Sequence, residues 1–372
     1  MNLVCLQSAF GVGTKKSVEM YQYIKNKGLI ETSLFKLKKK DFLYEEDFNF
    51  INSIDKNRIR KIFNDCEKDS ISILTIEDSK YPSLLRNIST PPLVLYIKGE
   101  LPQFNKIPAV CIVGPRKHSQ FGGKSAYSLA RRLSMAGILV VSGAAMGCDS
   151  FAHQGALDYE CKTVAVLAHG IGYDYLPKNR ILRAKISQNG CLMSEYPPYT
   201  PTTKYSFLVR NRIMSGLCLA TVVVEAPEIS GALSTANHAA EQGREVFVIP
   251  GNPTDKHYIG SNKLLQDGAN VLTSALDILN LYAVQYPDAV DIEKAYAKKA
   301  ESQKNNKKIQ KKSISGLSNE AKIVYNYLDK QKFFADELLK LGLSDDMLLS
   351  ALTELELLGL IKAVPGGAFE TL

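Results

Sequence analysis

AVCIVG at residues 109–114 and ILVVSG at 138–143 open a series of short apolar runs. The series continues with TVAVLAHG (163–170), CLMSE (191–195), ATVVVEA (220–226), EVFVIPG (245–251) and NVLT (270–273). Each run is too short for a buried helix and lacks polar alternation, the pattern of strands covered on both faces. Segments with helical spacing separate the runs. Strand and helix in alternation predict the α/β class: an extended Rossmann-like parallel sheet with helices on both faces. Such sheets bind ligands beyond the carboxyl ends of their strands. The residues placed there are small or polar: Gly114, Pro115 and Arg116 after the first run, Ser142, Gly143 and Gly147 after the second, Asn179 after the third, Ser230 and Gly231 after the fifth. Small residues let backbone N–H groups come close to a ligand, and helix N-termini favour phosphate. Neither nucleotide fingerprint is present. The first run leads into GPRKHSQFGG, not G-x-G-x-x-G, and a P-loop ending at Gly123-Lys124-Ser125 would need glycine at position 118, which is His.

The stretch between the fourth and fifth runs, PPYTPTTKYSFLVRNRIMSGLC (197–218), combines cations, aromatics and an amide. If it is helical from 206 to 217, Lys204 and Phe207 share a face. Arg210 and Arg212 then lie about 200° apart, so only one of them faces a ligand. Asn211 stands between them. Cations beside an exposed ring suit single-stranded nucleic acid, because cations hold phosphates and a ring accepts any base. The alternative is a core phenylalanine with surface arginines.

The chain has 372 residues and a formal net charge of +8. Composition divides it into a helical module at 1–70, the Rossmann-like core at 71–284, a Lys-rich linker at 285–313 and a last module at 314–372. In the first module, Gly11-Val12-Gly13 followed by Val18, Tyr21 and Ile24 has the form of a helix-hairpin-helix or SAM-like turn. The N–H groups of such a turn can reach a phosphate; the alternative is an ordinary glycine turn between helices. The last module has the helix–turn–helix and Gly-Gly hairpin pattern of a winged helix, yet it carries 9 acidic and 5 basic residues. That balance opposes phosphate contact and points to a protein-contact or autoinhibitory role.

The seven cysteines are widely spaced, without a C-x-x-C pair, which argues against a disulfide framework and a zinc site. No apolar stretch reaches the ~18–20 residues of a membrane span, and the N-terminus lacks the order of a signal peptide. The expectation is a cytoplasmic protein with no cofactor, metal or membrane partner.

Val113-Gly114-Pro115-Arg116, VSGAAMGCDSFAHQGAL, LAHGIGYDYLPKN, LMSEYPP, FLVRNRIMSGL, VVVEAPEISGALSTANHAAEQGREVFVIPG and GSNKLLQDGA follow one another nearly without gaps. In this order they resemble the DprA/Smf family, the DNA-processing proteins of bacterial natural transformation. The resemblance implies a DNA-binding recombination mediator, not an enzyme. It also implies a homodimer that binds single-stranded DNA and loads RecA recombinase. The family's pocket residues would be Arg116, Lys204, Phe207, Asn211 and Arg212, with loop glycines Gly114, Gly143, Gly147 and Gly231. Two positions depart from the family pattern. Pro115 replaces a common serine and removes a hydroxyl and an N–H, and Met146 stands where many members carry a cation. Two other readings stay open. One is a nucleotide hydrolase related to phosphoribohydrolases, whose paired-glycine motif is missing from ISGALSTANHAAEQG. The other is a sensor of a small nucleotide.

Overall fold

Side chains along the strand Ala109–Val113 alternate between two cores, as a strand covered on both faces requires. Ala109, Cys111 and Val113 point into one apolar cluster, Val110 and Ile112 into the other. The computed structural model describes residues 1–42, 44–159 and 161–296, and, further on, 317–327, 333–334, 343–357, 361–364 and 368–371. The chain forms two compact units, Met1–Ala297 and Lys298–Leu372.

The first unit opens with helices α1 (Asn2–Phe10), α2 (Lys15–Asn26), α3 (Glu45–Asn52) and α4 (Lys56–Lys68). Thr14 and Asp55 cap α2 and α4, each accepting from a backbone N–H of the first turn. Strand β1 (Ser72–Thr75), the single-turn helix α5 (Ser83–Arg86) and β2 (Val94–Gly99) follow. The alternating part then runs β3 (Ala109–Val113), α6 (Gln120–Met135), β4 (Leu139–Ser142), α7 (Cys148–Leu157), β5 (Thr163–Leu167), α8 (Arg180–Gln188) and β6 (Gly190–Ser194). It continues with α9 (Lys204–Gly216), β7 (Ala220–Val223), α10 (Gly231–Glu241), β8 (Glu245–Val248), α11 (Ile259–Gln266) and β9 (Asn270–Val271), and closes with α12 (Leu276–Gln285) and α13 (Ile292–Tyr296).

All seven apolar runs are strands of one sheet, in the order β1-β2-β6-β5-β4-β3-β7-β8-β9. From β6 to β9 every pairing is parallel; β2 joins β6 antiparallel and β1 joins β2 antiparallel. The strand order reverses between β3 and β7, which makes a topological switch point there.

Two expected boundaries move. The helices of residues 1–70 have no core of their own: Leu6, Ile24, Ile51 and Ile62 share a cluster with Leu95 of β2, Met193 of β6 and Ile213 of α9. The fully amide-paired Gln7 stitches them down, donating to Glu195 O at 2.7 Å and accepting from Val94 N at 3.1 Å. Part of the expected linker, up to residue 296, packs on the core. Val290 and Ala295 are buried against α6, the Asp291 N–H bonds Ala136 O, and Arg132 lies 4.5 Å over the Tyr296 ring. Averaging composition over 285–313 hid these few apolar anchors.

In the second unit, α14 (Asn319–Tyr327) and α15 (Asp345–Leu357) pack through Ala321, Val324, Leu348 and Leu352. Three short strands, β10 (Phe333–Phe334), β11 (Ile361–Val364) and β12 (Ala368–Thr371), form an antiparallel sheet in the order β10-β12-β11. Ser318 caps α14 and is itself held by Glu354 of α15. The helices and the β11–β12 pair are those expected of a winged helix; the Gly-Gly pair of the hairpin lies outside the described residues. Among the described residues no helix is long and apolar enough to cross a membrane, and no cluster of His, Cys, Asp and Glu could hold a metal ion.

His153 of α7 sits fully buried with Nδ1 2.9 Å from the Thr163 hydroxyl. Burial, with a smaller push from the Arg210 charge, lowers its pKa to about 3. An unfolded imidazole titrates near ~6.5, so below that pH the unfolded chain takes up a proton that the folded chain refuses. Stability therefore falls as pH drops through 6.5, and the loss saturates below about 3. The expected His153 contribution between pH 8 and 5 is roughly 2 kcal/mol. Urea unfolding of His153→Gln should show a correspondingly flatter pH dependence over that range; an unchanged slope would place the acid sensitivity elsewhere.

Candidate nucleic-acid interface

At the switch point a cleft of about 430 Å³ opens beyond the ends of β3 and β7. Gly114, Pro115 and Arg116 form one wall, the β4–α7 loop contributes Ala145 and Asp149, and the β7–α10 loop contributes Ile229, Ser230 and Gly231. Helix α9 supplies Lys204, Phe207, Arg210 and Asn211. A second hollow of about 400 Å³ between α6, β9 and α12 has one cation in its lining, Arg132, already engaged with Tyr296.

Helix α9 starts with a capping box, in which the Thr203 hydroxyl accepts from Ser206 N and the Ser206 hydroxyl accepts from Thr203 N. This leaves Lys204 exposed on the first turn, where a cation opposes the helix dipole. From Val209 the helix is enclosed, and Ser206 and Val209–Gly216 are all buried. Both arginines of the R-N-R motif are therefore buried, and of the two only Arg210 contributes to the cleft lining. Arg210 donates through Nη1 to the carbonyls of Gly143 and Val166, and Nε reaches Asn211 Oδ1 at 3.2 Å. Burial lowers its pKa, while the Asp149 charge opposes that fall. Asp149, raised by burial and held down by Arg210, accepts from the N–H groups of Gly143 and Ala145.

Arg212 lies outside the cleft. Its Nη2 donates to both carboxylate oxygens of Glu195 at 2.8 and 2.7 Å, and the two side chains are 7% and 3% exposed. Burial raises the Glu195 carboxyl pKa, opposed by Arg212 and by the Gly13 N–H that bonds it. The Gly11–Gly13 turn thus meets a protein carboxylate, not a phosphate. Gly13 has φ +71°, and a Cβ there would lie 2.4 Å from Val209 Cγ1. The turn fits α9 only as glycine.

Other expected residues also brace the site from behind. Asn179 donates to Ala144 O and Ser150 Oγ, both at 3.0 Å, and the buried Ser142 hydroxyl donates to Ile112 O. Gly114 fits against Cys148, Gly143 against Arg210, and Gly147, with φ +83°, against Pro115 O. These glycines let protein segments approach one another. Gly231 differs: it is exposed, nothing lies within 4 Å of its Cβ position, and it opens α10. Asn211 holds that helix start through Nδ2 to Gly231 O at 3.3 Å.

The exposed charges lining the cleft are Arg116 and Lys204, both positive, and its one carboxylate, Asp149, is buried against Arg210. Arg116 lies 4.8 Å over the Phe207 ring, and Tyr175 meets the same ring at 5.6 Å. Phe207 is half-buried within this stack. Met146 is exposed on the loop beside Ala145. The lining contains no histidine or cysteine, and the three acids near strand ends are all engaged. Asp149 and Glu195 are paired as above, and Glu225 accepts from the Ser119 N–H and hydroxyl at the start of α6. Sequence reasoning missed Ile229 and Tyr175, although both lie within the quoted motifs VVVEAPEISGALSTANHAAEQGREVFVIPG and LAHGIGYDYLPKN. It missed the Gly13–Glu195 contact as well, although a glycine turn ahead of a buried acid–base pair is its only trace.

Removing Arg212 strands a buried carboxylate, so Arg212→Met should lower unfolding stability by roughly 3–5 kcal/mol. The exposed Arg116→Ala should change it by less than ~0.5 kcal/mol. Urea titrations of the two variants separate the bracing arginine from the one facing solvent; equal losses would contradict the assignment.

Residues 72–283 match the family described as DNA recombination-mediator protein A, and residues 310–367 match the DprA winged helix domain. The chain is 37% identical over 211 residues to the DNA processing protein DprA of Bacillus subtilis, spanning 57% of this chain and 71% of that one. It is 40% identical over 210 residues to the Streptococcus pneumoniae protein, spanning 56% and 73%. The X-ray structure of the S. pneumoniae protein superimposes with a TM-score of 0.66 at 32% identity, covering 75% of this chain and 97% of that one. A Helicobacter pylori DprA structure, described for its single-stranded DNA binding mode, matches at a TM-score of 0.53 and 29% identity, covering 58% and 97%. The order of strand-end motifs, the switch-point cleft and these matches agree, and the chain belongs to the DNA recombination-mediator protein A family, the DprA/Smf proteins.

Proposed function

We propose that this protein binds single-stranded DNA in the switch-point cleft and acts as a recombination mediator, not as an enzyme. The observation that carries the reading is the pairing of two exposed cations, Arg116 and Lys204, across a cleft whose only carboxylate is buried. The open start of α10 at Gly231 adds a partial positive charge in the same cleft lining. Polyanion binding follows from this electrostatic balance. The Arg116–Phe207 stack, a cation beside a ring, favours an unpaired strand. The described single-strand binding of the H. pylori relative supports the same reading. RecA loading, a homodimeric assembly and a cytoplasmic place in transformation or recombination are carried over from the family as part of the proposal.

Fluorescence anisotropy with a labelled single strand of ~30 nucleotides tests it. Binding should weaken steeply with salt and resist duplex competitor. Lys204→Ala and Arg116→Ala should each weaken binding and reduce the magnitude of the salt slope by about 0.7, the value for one phosphate contact on a single strand. Normal binding by both variants would place the DNA elsewhere, and no binding by the wild type at low salt would turn attention to a small nucleotide. Recombinase nucleation on the same strand, with and without the protein, tests the loading step.

A further inference from the structure

Ile229 is 93% exposed, more than any other large hydrophobic residue among those described, and it stands in the lining of the cleft. It precedes Ser230, whose hydroxyl accepts from Ala232 N as the cap of α10, and the open Gly231. Arg116 and Lys204 line the same cleft. The ring expected to receive a base, Phe207, already has two neighbours, Arg116 at 4.8 Å and Tyr175 at 5.6 Å. The apolar group presented freely to a ligand is therefore Ile229. Its β-branched side chain has few χ1 states and behaves as a stiff post. Posts of this kind separate neighbouring bases when they enter a stack.

We propose that Ile229 is a base wedge: it inserts between two successive bases of a bound single strand whose phosphates rest on Lys204, Arg116 and the start of α10. This inference rests on the single-strand reading of the cleft. A duplex admits such a post only by losing stacking between paired bases, so Ile229 adds to the preference for unpaired DNA.

The probe is a single strand carrying one 2-aminopurine, whose emission rises when it is unstacked, moved base by base through the oligonucleotide. Saturating wild-type protein should raise emission at one register. Ile229→Ala should abolish that rise, weaken single-strand binding about fivefold, the lower end of a base-stacking contribution, and narrow the single-strand to duplex ratio by a similar factor. Ile229→Lys removes the post and adds a cation. It should steepen the salt slope by about 0.7 without restoring the emission rise. Thermal melting should be unchanged in both, since the side chain packs against nothing it would release. If Ile229→Ala keeps the wild-type emission and strand preference while Arg116→Ala and Lys204→Ala bind poorly, the wedge is wrong and the cleft reading stands. If the latter two bind normally, the cleft itself is wrong.

Discussion

A carboxylate and a guanidinium nearly excluded from water, Glu195 at the end of β6 and Arg212 in the middle of α9, hold the helix that lines the cleft in its place. Desolvating two charges is costly, and losing either partner leaves the other charge buried alone. Here one Arg212 nitrogen meets both carboxylate oxygens, Nε and Nη1 find no partner among the described residues, and Gln7 ties the neighbouring backbone to α1 and β2. The pair therefore joins three parts of the chain that are far apart in sequence. The cleft depends on it, because α9 is the element that carries Lys204 and Phe207 to the sheet edge.

The same logic explains why the cleft can be positive without being unstable. Arg210 and Asp149 compensate each other beneath its floor, and Arg210 spends its remaining donors on the ends of β4 and β5. Charge left for a ligand is confined to the rim, at Arg116 and Lys204, where water screens it until a polyanion arrives. Gly114, Gly143 and Gly147 let loops pack closely, whereas at Gly231, in the cleft lining, nothing lies within 4 Å of a Cβ position.

Much of this was legible before any coordinates. The seven apolar runs needed no partner information, since strands buried on both faces advertise themselves as unbroken V/I/A stretches. The ends of those runs located the cleft. What the sequence could not supply was environment. A helical wheel puts Arg210 and Arg212 on different faces but assumes one face meets water; α9 from Val209 onward is buried on every side. Gly13, Gly114 and Gly147 look alike in sequence to a glycine that cradles phosphate, and only their neighbours tell them apart. The packing just beyond the core stayed hidden for a similar reason, because Val290 and Ala295 are few among many polar residues yet are buried with residues of α6.

The central claim is the place of binding, and chemical protection tests it most directly. The full-length protein would be treated with an amine-reactive reagent, with and without a saturating single strand, and each lysine followed by mass spectrometry. Lys204 should be shielded by DNA while the exposed Lys61 and Lys263, on α4 and α11, react as before. Unchanged reaction at Lys204 under saturation would contradict the account.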